Sequence, residues 1–336
     1  MICPLCQSSS EIKYQRHPSY IEDLFFKIVF CDNCNTSFVD PIIIDTTIYE
    51  KIYINSSKVS GYDRYYQIAN MILEKKDPLA FLKRRSLEYS FIIDEIKKSY
   101  KNGDLILEVG CGIGYMTYAL NFSGYLTVGT DIVDNVIDLA IKKFGNHYHK
   151  GGIDLLIQNN HRFDFIILTE VIEHIEDPIS FIDKLNSLLN KNGSILLSTP
   201  NKSAFSKKAL WVTDAPPVHL WWFSEESIHY LAKKTSMIYK IIKPRYCNGT
   251  SYYYLNKSER IDCPIFVPGG SAIIIPEVKT TLQNTIFQNF ITALKYLLCF
   301  MPFKRTIVKV RNKLMNNCKS EIPYTLCVQL YSEKSN

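Results

Sequence analysis

The 336-residue sequence predicts an α/β protein organised around a doubly wound parallel sheet. Three observations predict this fold. Short apolar runs alternate with segments of helical spacing between residues 104 and 247, as expected for a parallel sheet covered on both faces. The first run, Leu105–Val109, is followed by glycines at alternate positions, and the next, Leu126–Asp131, ends in an acid. Because such sheets bind ligands beyond the carboxyl ends of their strands, we expect the site at this edge.

The first 45 residues carry two C-x-x-C pairs, Cys3 with Cys6 and Cys31 with Cys34. Four thiolates satisfy tetrahedral Zn²⁺ and leave no open position, so we expect a structural zinc ion rather than a catalytic one. The apolar residues 25–30 between the pairs are typical of the strands of a zinc ribbon. The alternatives are coincidental cysteines or a redox pair, and the other six cysteines show no pairing pattern.

Residues 46–103 are predicted to form a helical linker. Two tyrosine-rich stretches, residues 48–53 and 62–66, begin it, and residues 81–100 have the apolar spacing of a helix that precedes the first strand. The tyrosines have two open interpretations, a lid over a bound ligand or packing between the zinc ribbon and the main domain.

The main domain is expected to alternate strands and helices in chain order. After the glycine turn, helices are predicted over residues 115–121, 135–144 and 181–189, the last ended by Asn192 and Gly193, and strands over residues 126–131, 148–155 (with a turn), 163–169, 194–198, 237–246 and 324–331.

The glycine turn distinguishes between two nucleotide cofactors. A dinucleotide fingerprint is G-x-G-x-x-G, but here the third glycine comes one residue early, at Gly114 after Gly110 and Gly112. Asp131 lies 21 residues beyond Gly110, where a carboxylate can accept hydrogen bonds from both hydroxyls of an adenosine ribose.

Residues 105 to about 232 resemble a class I S-adenosylmethionine (SAM)-dependent methyltransferase of the small-molecule type. The motifs that carry the resemblance are L-E-V-G-C-G-I-G, G-T-D at the second strand end, F-D-F-I-I-L-T-E-V-I-E-H-I-E-D-P, N-G-S-I-L-L-S-T-P-N and P-P-V-H-L-W-W-F-S-E-E-S-I. The resemblance implies a seven-stranded Rossmann-like sheet, made of residues 104–247 plus 322–333, with the seventh strand antiparallel beside the sixth. It also implies a SAM-dependent methyltransferase activity.

The family pattern implies roles for individual residues. Glu108 and the backbone of Gly110, Gly112 and Gly114 would hold the amino-acid end of SAM, Asp131 the ribose and Ile132 the adenine, with Glu170 beside the cofactor. Many relatives have a Gly-Asp pair that contacts the adenine amino group, and this chain has Gly151 and Gly152 instead. Asp154 or a backbone group would then take that contact.

Two histidines are candidates for the catalytic base. Methyl transfer to a hydroxyl benefits from a base of near-neutral pKa, which favours histidine. His174 follows the fourth strand, and His219 lies in a Pro- and Trp-rich loop after the fifth. The structural alternative for His174 is a hydrogen bond that holds its loop. For His219 it is a role as an anchor of its loop. Trp221 and Trp222 would form a flat wall for the acceptor or pack in the core.

The expected acceptor is a small molecule, a sugar or glycan precursor, with O-methylation favoured and C-methylation an open variant. The zinc ribbon followed by F-V-D-P and a tyrosine-rich linker resembles a bacterial subgroup that often acts on such compounds. A zinc-finger RNA methyltransferase and a non-catalytic SAM/zinc scaffold are the alternatives. RNA is disfavoured because the ribbon has no Arg/Lys cluster, and no DNA partner is expected.

The C-terminal third carries the basic charge of the chain. From Lys240 onward there are 14 basic and 5 acidic residues, whereas the remainder has a net charge of −3. Residues 248–321 are expected to be a helical insertion before the last strand that serves as a substrate cap, a homodimer contact or a peripheral membrane contact. With no apparent signal peptide or membrane span, the expected location is cytoplasmic.

Overall fold

The computed structural model describes residues 1–21, 23–44, 46–54, 63–204, 215–243, 265–266, 273–274 and 325–332. Contacts divide the chain into two units, Met1–Ile274 with Pro323–Asn336, and Ile275–Ile322. The second unit lies outside the described residues, and so does most of the predicted insertion, apart from a two-residue antiparallel pair. Within the described part of the chain, no helix is long and apolar enough to cross a membrane.

The secondary structure follows the predicted alternation. The strands are β1 Glu11–Pro18, β2 Phe25–Cys31, β3 Thr36–Asp40, β4 Leu105–Val109, β5 Leu126–Asp131, β6 Tyr148–Lys150, β7 Phe163–Thr169, β8 Leu189–Pro200, β9 Trp221–Trp222, β10 Met237–Ile241, β11 Ile265–Phe266, β12 Ile273–Ile274 and β13 Thr325–Ser332. The helices are α1 Thr46–Ile54, α2 Asp63–Met71, α3 Pro78–Lys83, α4 Leu87–Ser99, α5 Tyr115–Phe122, α6 Asp134–Phe144, α7 Ile153–Gln158, α8 Pro178–Ser187 and α9 Glu225–Lys234.

The main sheet has seven strands in the order β10-β13-β8-β7-β4-β5-β6. The five strands from β8 to β6 are parallel, and β13 runs antiparallel to both of its neighbours. This confirms the predicted fold class, including an antiparallel last strand beside the sixth strand of this sheet. The carboxyl ends of β4, β5 and β7 therefore meet at one edge.

Both faces of this sheet are buried. Ile106 and Leu107 are neighbours in β4, yet they enter two different apolar clusters. One cluster is formed with helices α2 to α6, and the other with α7, α8, α9 and the N-terminal strands. A strand whose successive side chains are both buried is typical of a parallel sheet with helices on each side.

The N-terminal strands form a second sheet that includes a strand from the main domain. Its order is β1-β2-β3-β9, with Ser37 opposite Trp222 and Phe38 opposite Trp221. Both tryptophans are 1% exposed. The prediction of a flat wall for an acceptor is therefore wrong, and the alternative, packing in the core, is correct.

Several predicted boundaries are also corrected. The helix expected over residues 81–100 is two helices, because the Ser86 hydroxyl accepts a hydrogen bond from the Tyr89 amide and starts α4 anew. The helix expected to end at Asn192 and Gly193 ends at Ser187. Asn192, with φ of 68°, lies inside β8 instead.

A smaller prediction in the first half of the chain also changes. The turn expected after β6 is the helix α7, which begins at Ile153.

Candidate active site

The glycine loop connects β4 to α5 at the carboxyl edge of the sheet. Gly110, Gly112 and Gly114 have φ of 70°, 51° and 86°, a region that residues with a Cβ rarely adopt. The Gly110 amide donates to the Thr130 carbonyl over 2.8 Å, which ties the loop to the end of β5.

Two of these glycines also leave room for neighbouring side chains. A Cβ on Gly110 would lie 2.6 Å from Cγ2 of Val171, and one on Gly114 would collide with the ring of Tyr148. At Gly112, a Cβ would instead lie 3.0 Å from the hydroxyl of Tyr53. Gly110 and Gly114 are therefore required for space as well as for their backbone conformation.

Asp131 connects the end of β5 to the glycine loop. Its Oδ2 accepts a hydrogen bond of 2.9 Å from the Gly112 amide, and its Oδ1 one of 3.0 Å from the Val133 amide. The side chain is buried, and burial raises its pKa although the backbone hydrogen bonds lower it. The carboxylate stands where the sequence predicts a ribose contact, and that contact stays a prediction.

Glu108 supports the start of α5. Its Oε2 accepts hydrogen bonds from the amide (2.9 Å) and the hydroxyl of Thr117. Burial raises its pKa to about 7. A carboxylate near the amino terminus of α5 is also stabilised by the positive end of the helix dipole. The contact of Glu108 with the amino-acid end of SAM stays a prediction.

The predicted adenine side is more open. Ile132 is 53% exposed, and a Cβ on Gly152 would lie 4.0 Å from its Cγ2. Asp154 forms an ion pair of 2.8 Å with Lys184 and is 66% exposed. It lines a cavity of about 780 Å³ between the first C-x-x-C turn and α8. The adenine contact of Asp154 or of a backbone group stays a prediction.

The tyrosine-rich linker lies over the glycine loop, which favours the lid interpretation. Besides its approach to Gly112, Tyr53 has a pKa well above its usual value because of burial and the charge of Asp131. On α2, the ring of Tyr65 stacks on that of Tyr115, with centroids 6.5 Å apart. Sequence reasoning did not single out these tyrosines individually, although their clustering was the available signal.

The loop after β7 lies against the glycine loop through Val171. Glu170, with φ of 55°, begins it, and its Oε1 accepts a hydrogen bond of 2.9 Å from the Ser198 hydroxyl. The loop continues as a short 3₁₀ turn, Ile172–His174. Glu170 thus lies at the carboxyl edge of the sheet, and its place beside the cofactor stays a prediction.

The structure brings both predicted histidines together with Glu173. One ligand atom from each of the three residues lies within 4.8 Å of the others. The rings of His174 and His219 are 4.7 Å apart, and His174 Nε2 is 3.9 Å from Glu173 Oε1. Two imidazoles and a carboxylate form a donor set that can hold a divalent cation or position a proton.

The two histidines differ in their surroundings. The Nδ1 of His174 is 2.6 Å from the carbonyl oxygen of Val218, and its ring meets that of Tyr49 edge-on at 5.8 Å. His219 is 5% exposed, and burial lowers its pKa to about 3. A histidine of such low pKa stays neutral at neutral pH and is a weak base.

The four N-terminal cysteines converge at the end of the second sheet. Their sulfur atoms all lie within 4.8 Å of one another, with 3.6 Å between Cys3 and Cys34 and 3.4 Å between Cys6 and Cys31. A hydrogen bond from the Cys34 thiol lowers the pKa of Cys3 to about 5. Ligands of tetrahedral Zn²⁺ at 2.3 Å would be about 3.8 Å apart, so the cluster fits the ion.

Comparison with known proteins identifies a domain family over the part of the chain that contains the glycine loop. A methyltransferase domain family matches residues 81–235. This match covers β4 to β9 together with the loop after β7. This match confirms that these residues resemble a SAM-dependent methyltransferase domain, as the sequence motifs predict.

Named relatives of the methyltransferase domain include ubiquinone biosynthesis O-methyltransferases. The mitochondrial protein of Dictyostelium discoideum is 33% identical over 30% of this chain, which spans only 36% of that protein. The Rickettsia bellii protein is 27% identical over 56% of this chain and 82% of its own length. A SAM-dependent methyltransferase structure from Archaeoglobus fulgidus is 14% identical and covers 74% of this chain and 96% of its own, with a TM-score of 0.40.

Proposed function

We propose that this protein transfers the methyl group of SAM to a hydroxyl of a small-molecule acceptor. The observation that supports the proposal most is the junction of two loops. Val171 packs on Gly110 of the donor loop, and three residues later His174 stands beside Glu173 and His219. A donor site and a candidate base therefore lie on neighbouring loops at one edge of the sheet.

On the donor side, the residues bind and orient. The backbone of Gly110 and Gly112 can approach the amino-acid end of SAM, and the carboxylate of Asp131 can accept hydrogen bonds from the ribose. SAM supplies a methyl group on a positively charged sulfur, and its leaving group is neutral. The protein consequently has to align the nucleophile and exclude water more than it has to stabilise a leaving group.

On the acceptor side, His174 is the better candidate for the base. A proton on Nδ1 that is donated to the Val218 carbonyl leaves the lone pair of the neutral ring on Nε2. That nitrogen faces Glu173 Oε1 at 3.9 Å, so the carboxylate stabilises the imidazolium formed when Nε2 takes the acceptor proton. His219, whose pKa is lowered to about 3 by burial, packs against His174.

Helix α1 provides the cover that excludes water. Tyr49 and Tyr53 are four residues apart and lie on one helix face. Tyr49 contacts the ring of His174, and Tyr53 reaches the donor loop at Gly112. The helix α1 thus covers both the donor side and the acceptor side of the candidate site.

The class of acceptor is the finer part of the proposal. The ubiquinone biosynthesis O-methyltransferases among the relatives favour O-methylation, and the ribbon and linker pattern favours a sugar or glycan precursor. We also infer that the four-cysteine cluster binds structural zinc, because its four sulfur atoms already have the spacing of a tetrahedral site.

The test is methyl transfer from isotope-labelled SAM to two acceptor panels, nucleotide sugars and polyhydroxylated phenols, followed by mass spectrometry. Labelled product in either panel, abolished by His174→Gln, is the expected result. Calorimetry with S-adenosylhomocysteine provides a separate readout of the donor site. If the protein bound neither SAM nor S-adenosylhomocysteine, the proposal would fail.

A further inference from the structure

We propose that the metal-bound N-terminal ribbon positions the loop that carries His219, so that metal occupancy of the four-cysteine cluster sets the geometry of the acceptor side and leaves the donor side unchanged. This inference rests on the proposed function for the role of the loop. The coupling itself rests on contacts between described residues.

The first link joins the second C-x-x-C turn to the residues after His219. The Ser224 hydroxyl donates a hydrogen bond of 2.8 Å to the carbonyl of the metal-ligand residue Cys34. The Thr36 hydroxyl, two residues beyond Cys34, donates one of 3.0 Å to the Trp222 carbonyl. Both hydroxyl-bearing residues are 0% exposed, so water cannot readily replace these bonds.

The second link is the shared sheet. Phe38 and Trp221 are paired across β3 and β9, and their rings are 5.5 Å apart. The Val39 amide donates to the Leu220 carbonyl over 3.0 Å. Without β3, this segment would lose its strand partner and its buried backbone groups would lose their hydrogen bonds.

The third link carries the constraint into the candidate acceptor site. The Leu220 amide donates to the Glu173 carbonyl over 2.9 Å. The indole nitrogen of Trp221 donates to the Ile175 carbonyl over 2.8 Å. Together with the contact between His174 Nδ1 and the Val218 carbonyl, these bonds fix the Glu173–His174 turn to the loop of His219.

The donor loop has separate anchors. Gly110 and Cys111 donate to the Thr130 carbonyl, and Gly112 donates to Asp131, all within the main sheet. Since these hydrogen bonds do not pass through the ribbon, loss of the metal should act far more strongly on the acceptor side than on the donor side.

Small metal modules generally depend on the ion for their fold, because free thiolates of like charge repel and the module has little core of its own. Removal of zinc should therefore weaken the pairing of β3 with β9, while the apolar cluster that the ribbon shares with the main domain still holds the strand in place. We expect the residues around His219 and His174 to become more dynamic while the strands of the main sheet keep their protection.

The direct test is hydrogen exchange with mass spectrometry on the full chain, before and after chelation of zinc, with metal content measured on the same samples. We expect peptides covering residues 173–176 and 215–224 to exchange at least about tenfold faster after metal loss. Peptides covering residues 105–114 and 126–131 should change by less than about twofold, and the affinity for S-adenosylhomocysteine should stay within about threefold.

Three outcomes would overturn the coupling. These are a protein that binds no zinc, unchanged exchange at residues 215–224 after verified metal loss, and equal acceleration along the whole chain. Failure to bind S-adenosylhomocysteine in the zinc-loaded protein would defeat the proposed methyltransferase function instead, and it would leave the exchange result valid.

A point variant isolates one link without removing the metal. Thr36→Val keeps the shape of the side chain and removes the hydroxyl that donates to the Trp222 carbonyl. Zinc content should be unchanged, and exchange at residues 220–224 should rise about two- to tenfold, as for one lost buried hydrogen bond. The matched control is Thr235→Val, which removes a buried hydroxyl bonded to the Leu231 carbonyl at the end of α9. Equal exchange at residues 220–224 in both variants would contradict the role proposed for the hydrogen bond between Thr36 and Trp222.

Discussion

His174 and His219 show how burial separates two residues that look equivalent in the sequence. Both follow strands of the sheet, and their rings are 4.7 Å apart. Burial lowers the pKa of His219 to about 3, whereas His174 is only partly buried and contacts the lid through Tyr49. The more solvated ring, that of His174, is therefore the better candidate for the base.

Replacement of His174 by Gln should lower kcat by about 10²- to 10⁴-fold, the usual contribution of a general base. Affinity for SAM should be nearly unchanged, because the donor loop is anchored on Thr130 and Asp131. Steady-state kinetics and calorimetry measure the two quantities. The exposed His149→Gln variant is the control, and full turnover of His174→Gln would exclude His174 as the base.

Asp131→Ala should weaken SAM binding by about 1–3 kcal/mol, since it removes charged hydrogen bonds in a buried site. It also frees the Gly112 amide, which donates to this carboxylate. Isothermal titration calorimetry gives the affinity. Asp134→Ala, an exposed acid at the start of α6, is the control, and equal affinities for both variants would refute the ribose assignment.

Glu108 should make the stability of the protein dependent on pH. Burial raises its pKa to about 7, above the value of about 4.3 in an unfolded chain. The folded state therefore holds the proton more tightly, so the stabilisation is complete below about pH 4 and is lost as the pH rises through 7. Between pH 5.5 and 7.5, Glu108→Gln should reduce the fall in unfolding free energy by about 1–2 kcal/mol.

Urea denaturation at several pH values measures this effect. Glu11→Gln, which changes a glutamate that is 59% exposed, should keep the pH dependence of the parent protein. A pH profile that is identical for Glu108→Gln and the parent would show that Glu108 does not hold the proton.

At the scale of elements, α1 connects the donor loop to the acceptor side. Tyr53 covers Gly112, and Tyr49 meets His174, while the Tyr66 hydroxyl on α2 donates to the Tyr53 carbonyl over 3.3 Å. The two helices therefore hold each other over the site, and we expect SAM to enter and leave when they separate.

Tyr53→Ala should raise the dissociation rate of S-adenosylhomocysteine about tenfold, because it removes the ring that covers the donor loop. Stopped-flow displacement measures the rate. Tyr14→Ala, an exposed tyrosine of the ribbon, is the control. An unchanged dissociation rate would mean that α1 does not act as a lid.

Structural features that depend on residues close together in the chain could be predicted from the sequence. The glycine loop and the acid at the end of β5 depend on neighbouring residues, and the alternation of strands and helices predicts the parallel sheet. The meeting of His174 with His219 depends on residues 45 positions apart in the chain, which no local pattern encodes. The stop expected at Asn192 failed because β8 accommodates a residue of positive φ within its irregular pairing to β7.

At the scale of the whole molecule, the ribbon and the main domain share one apolar cluster. Leu5 and Ile28 of the ribbon belong to the same buried cluster as Leu107 and Trp221. Polar contacts add to this interface, such as the 2.9 Å hydrogen bond from Asn33 to the Tyr230 hydroxyl. The N-terminal sheet is therefore part of the fold of the main domain, although its metal cluster is local.

Deletion of residues 1–45 should make the protein aggregate or unfold, because it exposes the two tryptophans of β9 and leaves a strand edge without a partner. Size-exclusion chromatography and thermal unfolding measure the effect. Deletion of Met1 and Ile2 alone is the control, since both are exposed. A soluble, cooperatively folding deletion variant would contradict the shared core.

The pairing of β3 with Trp221–Trp222 also limits how such proteins can be recombined. A graft that transfers only the N-terminal segment to another methyltransferase would bring three strands of a four-stranded sheet and leave the fourth behind. A graft that keeps the sheet intact therefore has to contain two separate segments, residues 1–45 and residues 215–224. Chimaeras with a crossover at residue 45 alone should therefore fail far more often than those that carry both segments.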